Sequence, residues 1–470
     1  MNANQHSSPA STTNSATTSV AYPDGTGASR KVLHFIRSLR FEELPDPVVA
    51  QARRCLLDLS GVAAAGTRTR LSTIIRNHAV DSFGSQTRSA RMLFDGRRVS
   101  LPGAALAGAT TIDSVDAHDG HVLTKGHVGV TVFPVLAALA DCGLIRDDRE
   151  FITAFVLGYE IATRAGVALH ATACDYHTSG AWNALSAAAL VARALGLDIH
   201  QTREALGTAE YFGPRSQMMR CIAHPTMVKD GSGWGAMTGT SAALLAADGF
   251  TGAPAVTMED DAVAPFWQDI GKRWAIMEQY FKPYPVCRWA QPAVEAVLSI
   301  TRQHRLKSAD IGAIRIRSFH EACCLSTRHP QTTEQAQYSL PFPVAIAACR
   351  GQLGVAEIIE DALADPEANR LASGMELIED EHYNQRFPAE RWAEAEIVLT
   401  DGRTLQSGPH TARGDAAAPL PNAEVKDKFA ALTHPILGEA RSNRICELVE
   451  HMGNGENTLP ALLDALLEPA

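Results

Sequence analysis

The sequence predicts a mainly α fold with an α+β insertion: a large all-α helical domain in two segments, interrupted by a smaller α+β domain. Three observations predict it. Apolar residues recur at three-to-four spacing, the period of one helix face, across most of residues 31–278. Near Tyr280 the pattern changes, and IGAIRIRSFHEA and AEAEIVLTDGRTLQSG alternate as half-buried strands do, the second around an Asp401-Gly402 turn. Helical spacing then returns over residues 408–470. The expected organisation is a tail over 1–30, the helical domain over 31–278, the α+β domain over 279–407, and the helical domain again over 408–470.

Each element has its own warrant. The first thirty residues hold almost no large apolar side chains, so burial cannot offset their ordering entropy and a disordered tail is expected. Arg30 is their only basic residue, which argues against a transit peptide, and no apolar h-region marks a secretory signal. KVLHFIRSLRFEELP reads as a helix closed by proline, and PVVAQARRCLLDLSGVAAAG as the next, with Gly66 near its end. LSTIIRNHAVDSFG, LPGAALAGATTIDSVDAH, EFITAFVLGYEIATRAGVALHATACDYH, GAWNALSAAALVARALGLD and HQTREALGTAEYF continue the pattern. Small residues dominate their faces, which lets helices pack closely. In the insertion, SLPFPVAIAACRGQLG and AEIIEDALADPEANRLASG supply helix and MELIED a short strand. No internal repeat is evident.

Composition narrows the function classes. Of 470 residues, 46% are hydrophobic and 20% charged, ordinary for a globular protein and too apolar for disorder. The net charge of −10 argues against nucleic-acid or anionic-membrane partners, so an anionic substrate would need a locally positive site. No apolar run reaches about eighteen residues without a charge or proline, so no membrane span is expected. The nine cysteines are scattered and include no C-x-x-C pair, which suggests reduced thiols in an intracellular, cytoplasmic protein.

Chemistry concentrates in Ile112–Ala140, where Asp113, Asp116, His118, Asp119, His121, Lys125 and His127 precede an apolar, Ala-rich segment that reads as a buried helix. A rigid element following such a cluster can hold titratable groups in place. The spacing departs from H-E-x-x-H and no thiolate pair completes a tetrahedral set, so a metal site is not expected. A second stretch, HPTMVKDGSGWGAMTGTSAALLAADGFTG, fails the phosphate-loop pattern G-x-x-x-x-G-K-[ST]. It reads instead as a Gly-rich turn into a helix whose N-terminal amides can face an anion, with Lys229 adding a full charge. No G-x-S-x-G elbow surrounds Ser232 or Ser241, which removes a serine hydrolase.

The acid/His cluster before the Ala-rich helix, the Lys/Gly segment ending LLAADGFTG, KPYPVC and QYSLPFPVAIA together resemble the MmgE/PrpD family, in order and over nearly the whole chain after the tail. That resemblance implies a large helical domain, a smaller lid domain, a homodimer, and catalysis on a small polycarboxylate without metal or organic cofactor. It places Asp116 at the family's conserved acid, with Gly120 where that motif carries a small hydroxyl. His127 falls at the histidine of a G/T-H-P motif, with Val128 in place of proline. His177 matches the histidine before the Ala-rich helix, Lys229 and Lys282 match active-site lysines, Cys287 a position that is histidine in some members, and Tyr338 a tyrosine or phenylalanine.

Eliminating water from a hydroxy-tricarboxylate requires removal of a C–H proton beside a carboxylate and protonation of the departing hydroxide. Histidine suits both tasks because its unperturbed pKa is near roughly 6.5. His127 and His177 are the candidates, with Asp116 orienting one imidazole and Tyr338 a proton donor; which histidine is the base stays open. The substrate's carboxylates call for cations, and Lys229, Lys282 and Arg288 are the natural suppliers. The expected activity is dehydration of a 2-methylcitrate-like or alkylcitrate substrate. Decarboxylation of a cis-aconitate-like tricarboxylate, epimerisation of a dicarboxylate, and an inactive dimeric binding protein of the same fold are the alternatives, since pocket shape decides among them.

Overall fold

The computed structural model describes residues 27–85 and 87–470. The tail expected over 1–30 lies outside the described residues up to position 26; its last four residues instead open the helix α1 (Gly27–Ser38), where Ser29 is fully buried.

The chain is mostly helical with a small mixed sheet in its C-terminal region. The helices that follow are α2 (Asp46–Gly66), α3 (Arg70–Ser82), α4 (Leu101–Asp113), α5 (Gly129–Asp141), α6 (Asp148–Thr172), α7 (Gly180–Ala194), α8 (Ile199–Phe212), α9 (Met218–Ala223) and α10 (Ser232–Ala247). Local chemistry sets many of their starts. Thr69, Ser100 and Asp147 side chains accept from the first-turn amides of α3, α4 and α6, and Asp198 with Gln201 forms a reciprocal cap on α8. Small side chains set their spacing: α7 lies so close to α10 that a Cβ on Gly239 would sit 2.0 Å from the Ala184 carbonyl oxygen.

One hydrophobic core joins α1–α8 and α10 to the C-terminal helices Asn422–His451 and Leu459–Leu467. Among the described residues one helix, α6, is long and apolar enough to cross a membrane, yet 94% of its most apolar window is buried in this core. Its interior also carries the paired Glu160 and Arg164, at 3.4 Å. The long helix Asn422–His451 packs back on α2 and breaks at Gly438, where φ is 76°.

Four short strands escape the period of two. β1 (Ser89–Arg91) and β2 (Arg98–Ser100) form a hairpin, while β3 (Gly120–His121) pairs antiparallel with β4 (Gln279–Tyr280). The second pairing brings the loop after α4 beside the segment leading to Lys282.

A second hydrophobic core spans Tyr284 to Leu405, joined by side chains of α9. Its sheet runs β6 (Glu376–Glu379), β5 (Ile311–Ser318), β7 (Trp392–Leu399), β8 (Thr404–Gln406), with β9 (His410–Thr411) also on β7. Only β5 and β6 are parallel; Ile314 pairs with Ile397 across the β5–β7 ladder. Alternating burial along β7 follows from one covered face. The helices Gln291–His304 and Pro341–Arg350 contribute to the same core.

Candidate active site

The polar loop between α4 and α5 is held from several sides at once. Gln337 accepts from the Asp116 amide at 3.0 Å and donates to the Ser114 carbonyl at 3.0 Å. Lys428 donates to the Ala117 carbonyl and to Asp58 Oδ1, both at 2.6 Å. The Tyr159 hydroxyl donates to Asp119. Gly120 packs against Tyr280: a Cβ there would lie 2.4 Å from the tyrosine oxygen and 2.8 Å from the Gly126 carbonyl. The hydroxyl that the family resemblance expects at position 120 has no room, because the Tyr280 hydroxyl occupies that space.

His127 stands at the end of this loop, just before α5. Its amide donates to Ser179 Oγ at 3.0 Å and its carbonyl accepts from Asn183 at 2.8 Å. Nδ1 donates to the Asp119 carbonyl at 2.7 Å, which fixes the tautomer and turns Nε2 toward two carboxylates, Asp116 at 3.6 Å and Asp230 at 3.7 Å. Asp116 in turn pairs with Lys282, whose Nζ also reaches the Asp116 carbonyl at 3.3 Å. Asp230 accepts from Ser179 at 3.0 Å and from the Tyr338 hydroxyl at 3.3 Å. Lys229, in the left-handed region at φ 47°, donates to Gln337 at 2.5 Å and lies 4.6 Å over the Tyr338 ring. Lys229 also lines a cleft of about 450 Å³ together with Thr178, Gln217, Cys221, Val228 and Trp234.

Burial and charge divide the labour among these groups. Burial would push the Asp116 carboxyl up, but Lys282, then Lys229 and His127, outweigh it and hold the group far below the usual range as a fixed anion. Burial lowers the His127 imidazole, and Lys282 lowers it further against the pull of Asp116 and Asp230. The Tyr338 phenol is driven well upward by burial and by Asp230, so it stays protonated. Burial, with Asp116, raises the Cys287 thiol to about 12, which leaves it a poor nucleophile. Beside the cluster, Asp113 rises to about 7 through burial and Asp230. His118, whose ring lies tilted against that of His127 at 4.2 Å between ring centres, is pushed well down by burial and by that neighbour.

Asp116, His127, Lys229, Lys282 and Tyr338, expected from the sequence, therefore meet in one buried cluster. His177 and Arg288 do not join it. The His177 ring faces Asp175 at 3.7 Å and stacks on His170 at 6.4 Å, and among the described residues no hydrogen bond or ion pair links it to Asp116 or His127. Its backbone bridges to Gln217, at the rim of the cleft. Arg288 is committed to Asp415 at 2.5 Å and to the Arg413 and Ala412 carbonyls, so its charge is already answered. Asp230, Ser179 and Gln337 were not among the expected site residues. Asp230 adjoins Lys229 in the Gly-rich turn, and Gln337 precedes Tyr338; adjacency to a candidate was the only signal for either.

Asp116, His118 and His127 each offer a ligand atom within 4.8 Å of one another. The ammonium of Lys282 already holds Asp116, and a divalent cation would have to displace or tolerate it.

The fold and the cluster define a mostly helical enzyme scaffold with a buried acid–base centre flanked by ammonium groups. The MmgE/PrpD N-terminal domain model matches residues 30–267, and the MmgE/PrpD C-terminal domain model residues 284–453. The chain belongs to the MmgE/PrpD family, as an enzyme acting on small carboxylates. It is 21% identical over 481 residues to a cis-aconitate decarboxylase of Aspergillus terreus (strain NIH 2624 / FGSC A1156), covering 93% of this chain and 95% of the relative. It is 24% identical over 451 residues to the cis-aconitate decarboxylase of Homo sapiens, covering 90% and 91%, and 23% identical over 454 residues to that of Mus musculus, covering 90% of each.

Proposed function

We propose that this chain is a lyase that removes carbon dioxide from a cis-aconitate-like tricarboxylate without a metal or organic cofactor. The observation that carries the reading is the convergence of the His127 Nε2 with two buried ammonium groups, Lys229 and Lys282. Carbon dioxide leaves with cleavage of one C–C bond, and the electron pair delocalises onto a conjugated carboxylate. Lys282 and Lys229 stabilise that charge as it develops. One proton then goes to carbon, from His127 or the Tyr338 hydroxyl. Dehydration asks for a base and an acid at opposed positions, and the second histidine expected for it, His177, faces Asp175 instead.

The sequence-level preference for dehydration of a 2-methylcitrate-like or alkylcitrate substrate becomes the second reading. Its support is the pairing of His127 with Tyr338 across Asp230, which can serve as base and acid. A homodimer is proposed as well: Val228 and Trp234, 68% and 51% exposed, line the cleft, and Tyr211 and Phe212, 73% and 59% exposed, precede its lining residue Pro214 in the chain. Light scattering of the purified chain tests it.

A panel of cis-aconitate, citrate, 2-methylcitrate and an epimerisable dicarboxylate, read by mass spectrometry, tests the reaction. Carbon dioxide loss from cis-aconitate, abolished in His127→Ala, is expected. Water loss without carbon dioxide release overturns it in favour of dehydration, and binding without turnover of any substrate overturns the enzyme reading.

A further inference from the structure

Three arginines are buried among the described residues, and two of them have acidic partners. Arg164 pairs with Glu160 and Asp269, and Arg288 with Asp415. Arg391 is only 7% exposed, and among the described residues no carboxylate lies within ion-pair distance of it. Its Nη2 donates to the Val122 carbonyl at 3.2 Å, its guanidinium lies 5.9 Å from the Phe387 ring centre, and its Nε is buried with no partner. A desolvated guanidinium with an unused donor is costly unless something anionic answers it.

Its surroundings say where that anion sits. Arg391 is tied to Val122, the residue that follows β3, and Tyr280 pairs with Gly120 of that same strand, which brings the guanidinium and the phenol to one segment of the loop that carries Asp116. The Tyr280 ring is pinned by Arg288 at 4.5 Å and its hydroxyl abuts Gly120, yet that hydroxyl makes no hydrogen bond among the described residues. Lys125, stacked 3.6 Å over the Tyr176 ring, is a second cation near Arg391; Glu321 acts on Lys125 and Asp415 on Arg391 from a distance, but among the described residues neither carboxylate forms an ion pair with them. In a protein of net charge −10, such a grouping of cations beside a catalytic cluster suits an anion.

We infer that Arg391 and the Tyr280 hydroxyl form a carboxylate subsite that holds the end of the substrate remote from His127 and selects substrates with a second carboxylate. The subsite deepens the polycarboxylate reading and rests on it. The guanidinium presents parallel N–H donors that match a carboxylate edge, and Nε is one of the unused ones. Tyr280 is set by β3–β4 pairing, so Gly120 keeps the hydroxyl in place by leaving it room.

The test uses the full chain with Arg391→Gln, Arg391→Lys and Tyr280→Phe. Without ligand, Arg391→Gln should melt at or above the wild-type temperature, because it removes an unpaired charge; a structural tie would melt lower. Binding is read by calorimetry in a His127→Ala background with cis-aconitate and, as a monocarboxylate probe, acetate. Arg391→Gln should weaken cis-aconitate at least tenfold and leave acetate unchanged, Arg391→Lys should fall between, and Tyr280→Phe should lose about threefold. In turnover, KM should rise at least tenfold with kcat within about twofold. Unchanged cis-aconitate affinity in these variants, or equal weakening of both probes, overturns the subsite. If Arg391→Gln fails to fold, the subsite is overturned unless Tyr280→Phe and Arg391→Lys each show the selective loss. Selective weakening without any turnover by the otherwise wild-type chain would leave the subsite standing and overturn the lyase reading instead.

Discussion

Removing one partner of the Asp116–Lys282 pair should cost both stability and activity, while removing both should restore only stability. The side chains are 2% and 0% exposed, and among the described residues the ammonium has no acceptor besides Asp116, through its carboxylate and, at 3.3 Å, its carbonyl. Asp116→Asn preserves shape but leaves Lys282 as an uncompensated buried cation, a loss of about 3–5 kcal/mol. Lys282→Met leaves an anion that His127 Nε2, 3.6 Å away, can partly answer by taking a proton, so its cost should fall near the lower end of that range. In Asp116→Asn/Lys282→Met no charge is stranded, and the double variant should be at least about 2 kcal/mol more stable than the sum of the single losses. Urea unfolding followed by tryptophan fluorescence, with midpoint and slope compared across the cycle, measures this. Turnover should drop at least about a hundredfold in all three, because a preorganised cation is gone or misplaced. Single losses under about 1 kcal/mol that simply add would refute the reasoning.

As proton donor, His127 must be protonated in the productive enzyme, and its pKa is lowered from 6.5 by burial and then Lys282. The profile of kcat/KM should therefore fall with rising pH, with its inflection below 6.5; a profile that rises through the same window would assign His127 as a base. Asp119 stays protonated up to about 7, chiefly because it is buried, whereas its ordinary value is 3.8. The unfolded chain thus loses that proton first, so stability from this group is lost as pH rises from 3.8 to about 7 and stays lost above. Asp119→Asn should flatten the stability profile over that window by up to about 4 kcal/mol, and an unchanged slope in pH-dependent urea melts would contradict it. Gly120→Ala must push Tyr280 aside and should cost about 1–3 kcal/mol in the same melts; a neutral effect would mean the loop yields freely. Exhaustive chelation should leave turnover intact while added Zn²⁺ inhibits in competition with substrate at Asp116, His118 and His127. Activity that is lost on chelation and restored by metal would reverse that assignment.

Much of the fold was legible because burial repeats at the local period of each element. The spacing in PVVAQARRCLLDLSGVAAAG and IGAIRIRSFHEA is a direct image of the faces that α2 and β5 bury. β3 and β4 were not legible, since two-residue strands are too short for alternation to show and exist only because two distant segments meet. The site divides on the same line. Asp116 and His127 were readable because they lie in one polar stretch closed by a buried helix, and Lys282 because KPYP is a dense local pattern. Asp175, two residues before His177, was in local view, as were Asp230 and Gln337 beside Lys229 and Tyr338, but nothing local says that these groups engage one another or that Asp415 engages Arg288. By itself the sequence determined the elements, the acid–base inventory of Ile112–Ala140 and the lysines opposite it. Only the tertiary structure decided which charges are spent on each other and which, like Arg391, are left for a ligand, because pairing energies depend on distances and burial that neighbours in sequence do not set.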